Sequence, residues 1–252
     1  MNNFPVILDR FIFEVRYGAG YRYFDRCGQS LIDITQQSEG WLPLTVNPQT
    51  GTLENPEKRF TMSFNDSFFN FTADKPYHFT IDEIAEEVAL LWKIVQVNLG
   101  LEEYLRLATR LYYFLPCLSI EDAEKRLSKS ALGVSIPTKF GEIFNIKHRH
   151  STVIFEKDNI EFRVVLNTIT RHEGLQPTEI LAMDPRFLSK DQRKYRLAKQ
   201  KQLMEYSSNP MYAVGLDVDC VIAQPETINA RDFIIERQQN IKDYFLPLME
   251  NL

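Results

Sequence analysis

The sequence predicts an α+β protein. Three observations carry that reading. Two-residue alternation of apolar and polar residues runs over 10–17, 104–116 and 211–223. Helix-starting capping patterns stand at 80–83 and 189–192. The order hairpin, helix, strand, helix occurs twice along the chain. The expected architecture is two pseudo-repeated ββαβα units with mainly antiparallel sheets and helices packed on them, plus an N-terminal strand and helix.

Taken in order, RFIFEVRY (10–17) sets Phe11, Phe13, Val15 and Tyr17 against Ile12, Glu14 and Arg16, the pattern of a strand. Tyr21, Phe24, Cys27, Leu31 and Ile34 recur at three- and four-residue steps and predict a helix despite Gly28. The stretch 38–58, rich in Gly, Pro, Asn and Thr, reads as a long loop. Two aromatic and β-branched runs around Asn65-Asp66 predict a hairpin over 59–72, with phenylalanines on both faces. Such a hairpin is either buried on two sides or an exposed contact patch. Thr80 and Glu83 form a capping box for an amphipathic helix that Gly100 ends. A strand over 104–116 and a short capped helix over 119–127 follow.

The second half reads the same way: a hairpin over 151–168 turning at Asp158-Asn159, a helix from Ser189, a strand over 211–223 and a helix over 229–245 capped by Asn229. A three-stranded sheet with helices on one face leaves its edges open, so two such units gain by joining. The halves divide near 1–130 and 140–252 and are expected to form one compact body.

At 252 residues, with 44% apolar and 25% charged residues, the chain has the composition of an ordinary globular protein. Eighteen phenylalanines and eleven tyrosines supply core volume. Its net charge of −5 argues against a protein that coats nucleic acid along its whole surface, and leaves room for a local basic patch. Cys27, Cys117 and Cys220 are odd in number and far apart, which suggests neither a disulfide framework nor a structural zinc site. No window approaches the roughly 18–20 apolar residues of a membrane span, and no secretory signal opens the chain. A reduced, cytoplasmic protein with no membrane partner and no cofactor is expected.

The acidic strand GLDVDC (215–220) is the first candidate for chemistry. Asp217 and Asp219 share a face, about 7 Å apart at the backbone, close enough to share a hydrated magnesium ion. A metal site needs a third carboxylate, for which Glu161, Glu173 and Asp184 are available but not placed by the sequence. The alternative is structural. Arg106 and Arg110 occupy the same face of the strand over 104–116, so Arg–Asp pairs across a joint between the halves, Arg110 with Asp217 above all, satisfy both. His148 and His150, in KHRHS, have the spacing of two strand-borne metal ligands but no third partner, and a solvated edge is the simpler reading.

The helix SKDQRKYRLAKQKQLMEY (189–206) is the strongest compositional anomaly. Lys190, Arg193, Lys194, Arg196, Lys199 and Lys201 surround it against Asp191 and Glu205, and its apolar positions are sparse. With Lys147 and Arg149 it forms a candidate contact for nucleic acid or an acidic partner; a solvated lysine-rich helix is the plain alternative. The chain has no GxGxxG, GxxxxGK[ST], GxSxG or HExxH motif.

RLATRL (106–111), followed by GLDVD (215–219) and a terminal amphipathic helix, resembles a sporadically distributed, functionally uncharacterised bacterial protein family of similar length. In that family an Arg-containing strand follows a long helix, and an LDID-like strand precedes the last helix. The resemblance covers the element order from about 59 to 252 and implies architecture, not activity. Three functions follow as expectations. The first is a non-catalytic binding or assembly protein acting through a protein partner or self-association. The second is a nucleic-acid-binding accessory protein of a phage-defence or mobile-element setting. The third is a magnesium-dependent nuclease or phosphotransferase using Asp217 and Asp219.

Overall fold

An antiparallel sheet, with nine strands among the described residues in the order β2-β3-β4-β5-β1-β6-β9-β8-β7, organises the molecule. The structure, a computed structural model, describes residues 5–18, 20–47, 49–132, 150–171, 181, 184–204 and 210–250. The strands are β1 (Ile7–Tyr17), β2 (Leu42–Val46), β3 (Gly51–Asn55), β4 (Phe60–Phe64), β5 (Phe68–Asp74), β6 (Tyr104–Cys117), β7 (His150–Lys157), β8 (Ile160–Arg171) and β9 (Met211–Ala223). The helices are α1 (Tyr23–Gln37), α2 (Ile81–Leu99), α3 (Ile120–Leu127), α4 (Lys190–Met204), α5 (Ala230–Asn240) and the short α6 (Pro247–Glu250), which a π turn over Ile241–Phe245 joins to α5. Helices and a large antiparallel sheet together make the protein α+β.

Strand alternation divides the sheet into two unlike faces. Phe11, Phe13 and Val15 of β1, Leu107 and Leu111 of β6, and Val214, Leu216 and Val218 of β9 point to one side and are buried. Helices α1, α2, α3 and α5 cover that side, with α2 packed between α1 and α5. An aromatic cluster fills its first half: Phe71 meets Phe11, Phe60 and Trp41 at ring-centroid distances of 6.3, 5.2 and 6.2 Å. Phe60, Phe64, Phe69 and Phe71 are fully buried there, so the 60–74 hairpin builds core and is no exposed contact patch. The opposite face carries the charged partners of the alternation, Glu14, Arg106, Arg110, Asp217 and Asp219 among them.

Local signals set the helix ends. Thr80 Oγ1 accepts from the Glu83 N–H at 3.2 Å while the Glu83 carboxylate accepts from the Thr80 N–H at 2.7 Å, a complete capping box for α2. Gly100 closes α2 at φ 61°, and a Cβ there would lie 2.2 Å from Arg22 Nη1. Ser189 and Gln192 exchange the same reciprocal bonds at the start of α4.

Two expectations differ from the structure, the loop over 38–58 and the likeness of the two halves. The 38–58 stretch is not one long loop: it carries β2 and β3, which continue the sheet beyond the 60–74 hairpin. β1, expected only as an added N-terminal strand, lies between β5 and β6, paired with both. The two halves are therefore arranged differently around their long strands. β8 pairs directly with β9, whereas β1 separates β5 from β6. The β6–β9 ladder, from Arg106–Ala223 to Cys117–Tyr212, joins the halves into one continuous sheet. No helix of the described residues is long and apolar enough to cross a membrane.

Candidate functional site

The polar face holds two charged regions. The first lies at the β6–β9 joint. There Arg110 donates Nε–H to Asp217 Oδ1 at 2.8 Å and Nη2–H to Asp217 Oδ2 at 2.5 Å, so one guanidinium takes both carboxylate oxygens. Its plane also lies over the Tyr112 ring, 4.8 Å from the centroid. Arg106 donates to Glu14 and, at 3.4 Å, to Asp219, and Arg16 reaches Glu14 at 2.9 Å. The result is an alternating ladder of charge across β1, β6 and β9. Burial raises the Asp219 carboxyl above its usual range, against the opposing pull of Arg106 and Arg110.

This geometry fixes what the two aspartates can do. Both oxygens of Asp217 are occupied by a cation the protein supplies, and Asp219 has Arg106 beside it and Arg163 opposite it on β8. Glu161 stands across from Val221 on the neighbouring strand, and Asp184 is held by Arg186 at 2.6 Å; Glu173 lies outside the described residues. Among the described residues no group of three or more His, Cys, Asp and Glu side chains is placed to hold a metal ion. His150 is exposed at the start of β7, opposite Asn167, while Lys147, His148 and Arg149 lie outside the described residues. Next to Asp217, a hollow of about 420 Å³ is walled by Tyr112, Phe114 and Gly215, and its Asp9 is held by Arg171 at 2.8 Å.

The second region is built by α4. This helix reaches β3 of the other half of the sheet through polar contacts. Tyr195 Oη–H donates to Glu54 Oε2 at 3.0 Å, Lys199 Nζ to Glu54 Oε1 at 2.5 Å, and Gln202 Nε2 to the Pro56 carbonyl at 2.8 Å. Glu54 is buried, so Lys199 is committed to an internal ion pair and is not part of the outer charge. Arg193 donates to the Leu188 carbonyl at 3.0 Å, and Lys190, Arg193, Lys194 and Lys201 are exposed.

Sequence reasoning missed the cations that α4 meets. A cleft of about 720 Å³ separates the helix from the open end of the β4–β5 hairpin, and Lys58, Arg59 and Lys75 line its far side. The sequence signal is three basic residues just outside the two hairpin strands, at 58, 59 and 75, which the loop-like composition of 38–58 obscures. Lys58 also serves the fold. It joins Ser38 and Trp41 on the Glu87 carboxylate at 2.9, 2.6 and 2.7 Å. Burial would raise that carboxyl, but these bonds outweigh burial and hold it below the usual range.

No family model, curated protein or solved structure matches the chain.

Proposed function

We propose that the chain is a non-catalytic binding and assembly protein that works through self-association, two copies meeting edge to edge along β7. The observation that supports this is the contrast between the two outer strands of the sheet. β2 has five residues, contains Pro43 and shifts register between Pro43 and Thr45, all features that blunt an edge. β7 has eight residues, no proline and an unbroken register with β8, and among the described residues no strand pairs with its outer side. Its Ile154 is 60% exposed and its Phe155 39% exposed. Beside it an apolar hollow of about 460 Å³ is walled by Phe155, Phe162, Phe245 and Leu248. An eight-residue edge with an unbroken register and exposed Ile154 and Phe155 invites another strand, and antiparallel pairing of two β7 strands makes a closed two-fold contact. The commitment of Asp217 to Arg110 supports the non-catalytic part of the reading.

Sedimentation velocity over a concentration series tests it. The native chain is expected at twice its 29.5 kDa mass, and Ile154→Lys, at an exposed position, is expected to shift it to monomer. A native chain that stays monomeric overturns the self-association. A dimer that persists unchanged in Ile154→Lys overturns its placement on β7.

A further inference from the structure

The cleft between α4 and the β4–β5 hairpin concentrates positive charge in a chain whose net charge is −5. Lys58, Arg59 and Lys75 stand on the hairpin side and Lys194 and Lys201 on the helix side; among the described residues lining it, Glu57 is the only acid. Glu87 offsets Lys58 at 2.9 Å. A concave, one-signed lining focuses potential and draws anions even to an acidic protein.

Two of these cations are held in unusual backbone geometry. Arg59 has φ 60° and Lys75 φ 48°, the left-handed region, where a residue with a Cβ costs roughly 1–2 kcal/mol. They are neighbours at the open end of the hairpin: the Asp74 N–H donates to the Arg59 carbonyl at 3.0 Å, and the Lys75 N–H to the Asp9 carbonyl at 2.6 Å. Glycine or asparagine would fill either position at less cost. Two long basic side chains are thereby set next to each other at the mouth of the cleft.

The remaining walls indicate what the anion carries. Tyr77 is 52% exposed with its hydroxyl towards Asp9 Oδ1 at 3.4 Å, and Leu197 and Met211 add apolar surface. Aromatic surface beside cations is how single strands are held, with bases against the ring and phosphates on the charges. A cleft of about 720 Å³ is large enough for one nucleotide unit. Lys190 and Arg193 continue the charge along α4 beyond the cleft, which a strand exploits and a free nucleotide does not.

We propose that this cleft binds single-stranded nucleic acid, one base against Tyr77 and the flanking phosphates on Arg59, Lys75 and Lys201. The proposal does not depend on self-association through β7. Fluorescence anisotropy of a labelled oligothymidylate, titrated with the full chain at rising salt, tests it. Lys75→Glu combined with Lys201→Glu is expected to weaken binding at least about tenfold and to flatten the log–log salt slope by roughly 1.4, about 0.7 for each of two phosphate contacts. Tyr77→Ala is expected to weaken binding by about tenfold with the slope unchanged, because stacking releases no counterions. Lys125→Glu combined with Lys129→Glu makes the same charge change at exposed positions at the end of α3 and just beyond it, and is expected to keep native affinity. Circular dichroism checks that each variant is folded. Absence of binding at low salt, an equal loss in the α3 control, or equal competition by duplex or by a free mononucleotide each overturns the proposal.

Discussion

Arg110 and Asp217 are bonded diagonally across their ladder. Directly opposite Arg110 on β9 is Asp219, and directly opposite Asp217 on β6 is Tyr112. The arginine passes over its nearest acid and lies on Tyr112 to grip the next one with two bonds. The diagonal pair combines a two-point grip on Asp217 with a cation–π contact to Tyr112. The pair is half open to solvent, so a double-mutant cycle with Arg110→Ala and Asp217→Ala is expected to give a coupling of about 1 kcal/mol in denaturant unfolding. Asp219→Asn is expected to leave stability at neutral pH unchanged or raised, because burial already disfavours that charge.

Glu87 sets an acid limit. Its carboxyl is held below the usual range in the folded protein, so its contribution is complete at neutral pH. That contribution declines as pH falls below the ordinary carboxylate value and is gone once pH passes the lowered folded value. Glu87→Gln is expected to lower stability at neutral pH by about 2 kcal/mol and to narrow the gap to native on acidification. Denaturant midpoints measured across the acidic range check both.

Phe71 is the centre of the first-half core, touching Phe11, Phe60 and Trp41 while fully buried. Phe71→Ala is expected to cost about 3–5 kcal/mol in equilibrium unfolding. The exposed Leu118→Ala is expected to cost less than about 0.5 kcal/mol, and serves as its surface control.

Glu54 is the anchor of α4. Glu54→Ala removes the acceptor of both Tyr195 and Lys199, leaving a lysine with no buried partner. Hydrogen exchange over 190–204 is expected to speed up in this variant, while exchange in β6 and β9 stays slow.

The elements legible in the sequence were those with strong local rules. Phe11, Phe13 and Val15 betray β1 by alternation alone, and Thr80 with Glu83 marks the first turn of α2 through two bonds within four residues. The same alternation puts Arg110 and Asp217 on one face. β2 and β3 were illegible because each has five residues, and Pro43, Gly51 and Asn55 carry the punctuation of a loop. The seat of α4 was illegible for a different reason. A helix held by Tyr195, Lys199 and Gln202 instead of an apolar stripe has no periodicity to read, and its acceptors lie more than a hundred residues away. The basic cleft inherits both difficulties, since one wall is that helix and the other adjoins those strands.

β1 precedes every other strand in the chain yet occupies the middle of the sheet, between β5 and β6. Order of synthesis and order in space therefore disagree. The hairpins β4–β5 and β7–β8 close over short loops, but β1 finds its partners only after residues 68–74 and then 104–117 have been made. Until then a strand carrying Phe11, Phe13 and Val15 waits with both sides unpaired, and the halves cannot share one sheet. The central ladders of the sheet are thus built from contacts of high sequence separation, the kind whose loop closure slows folding.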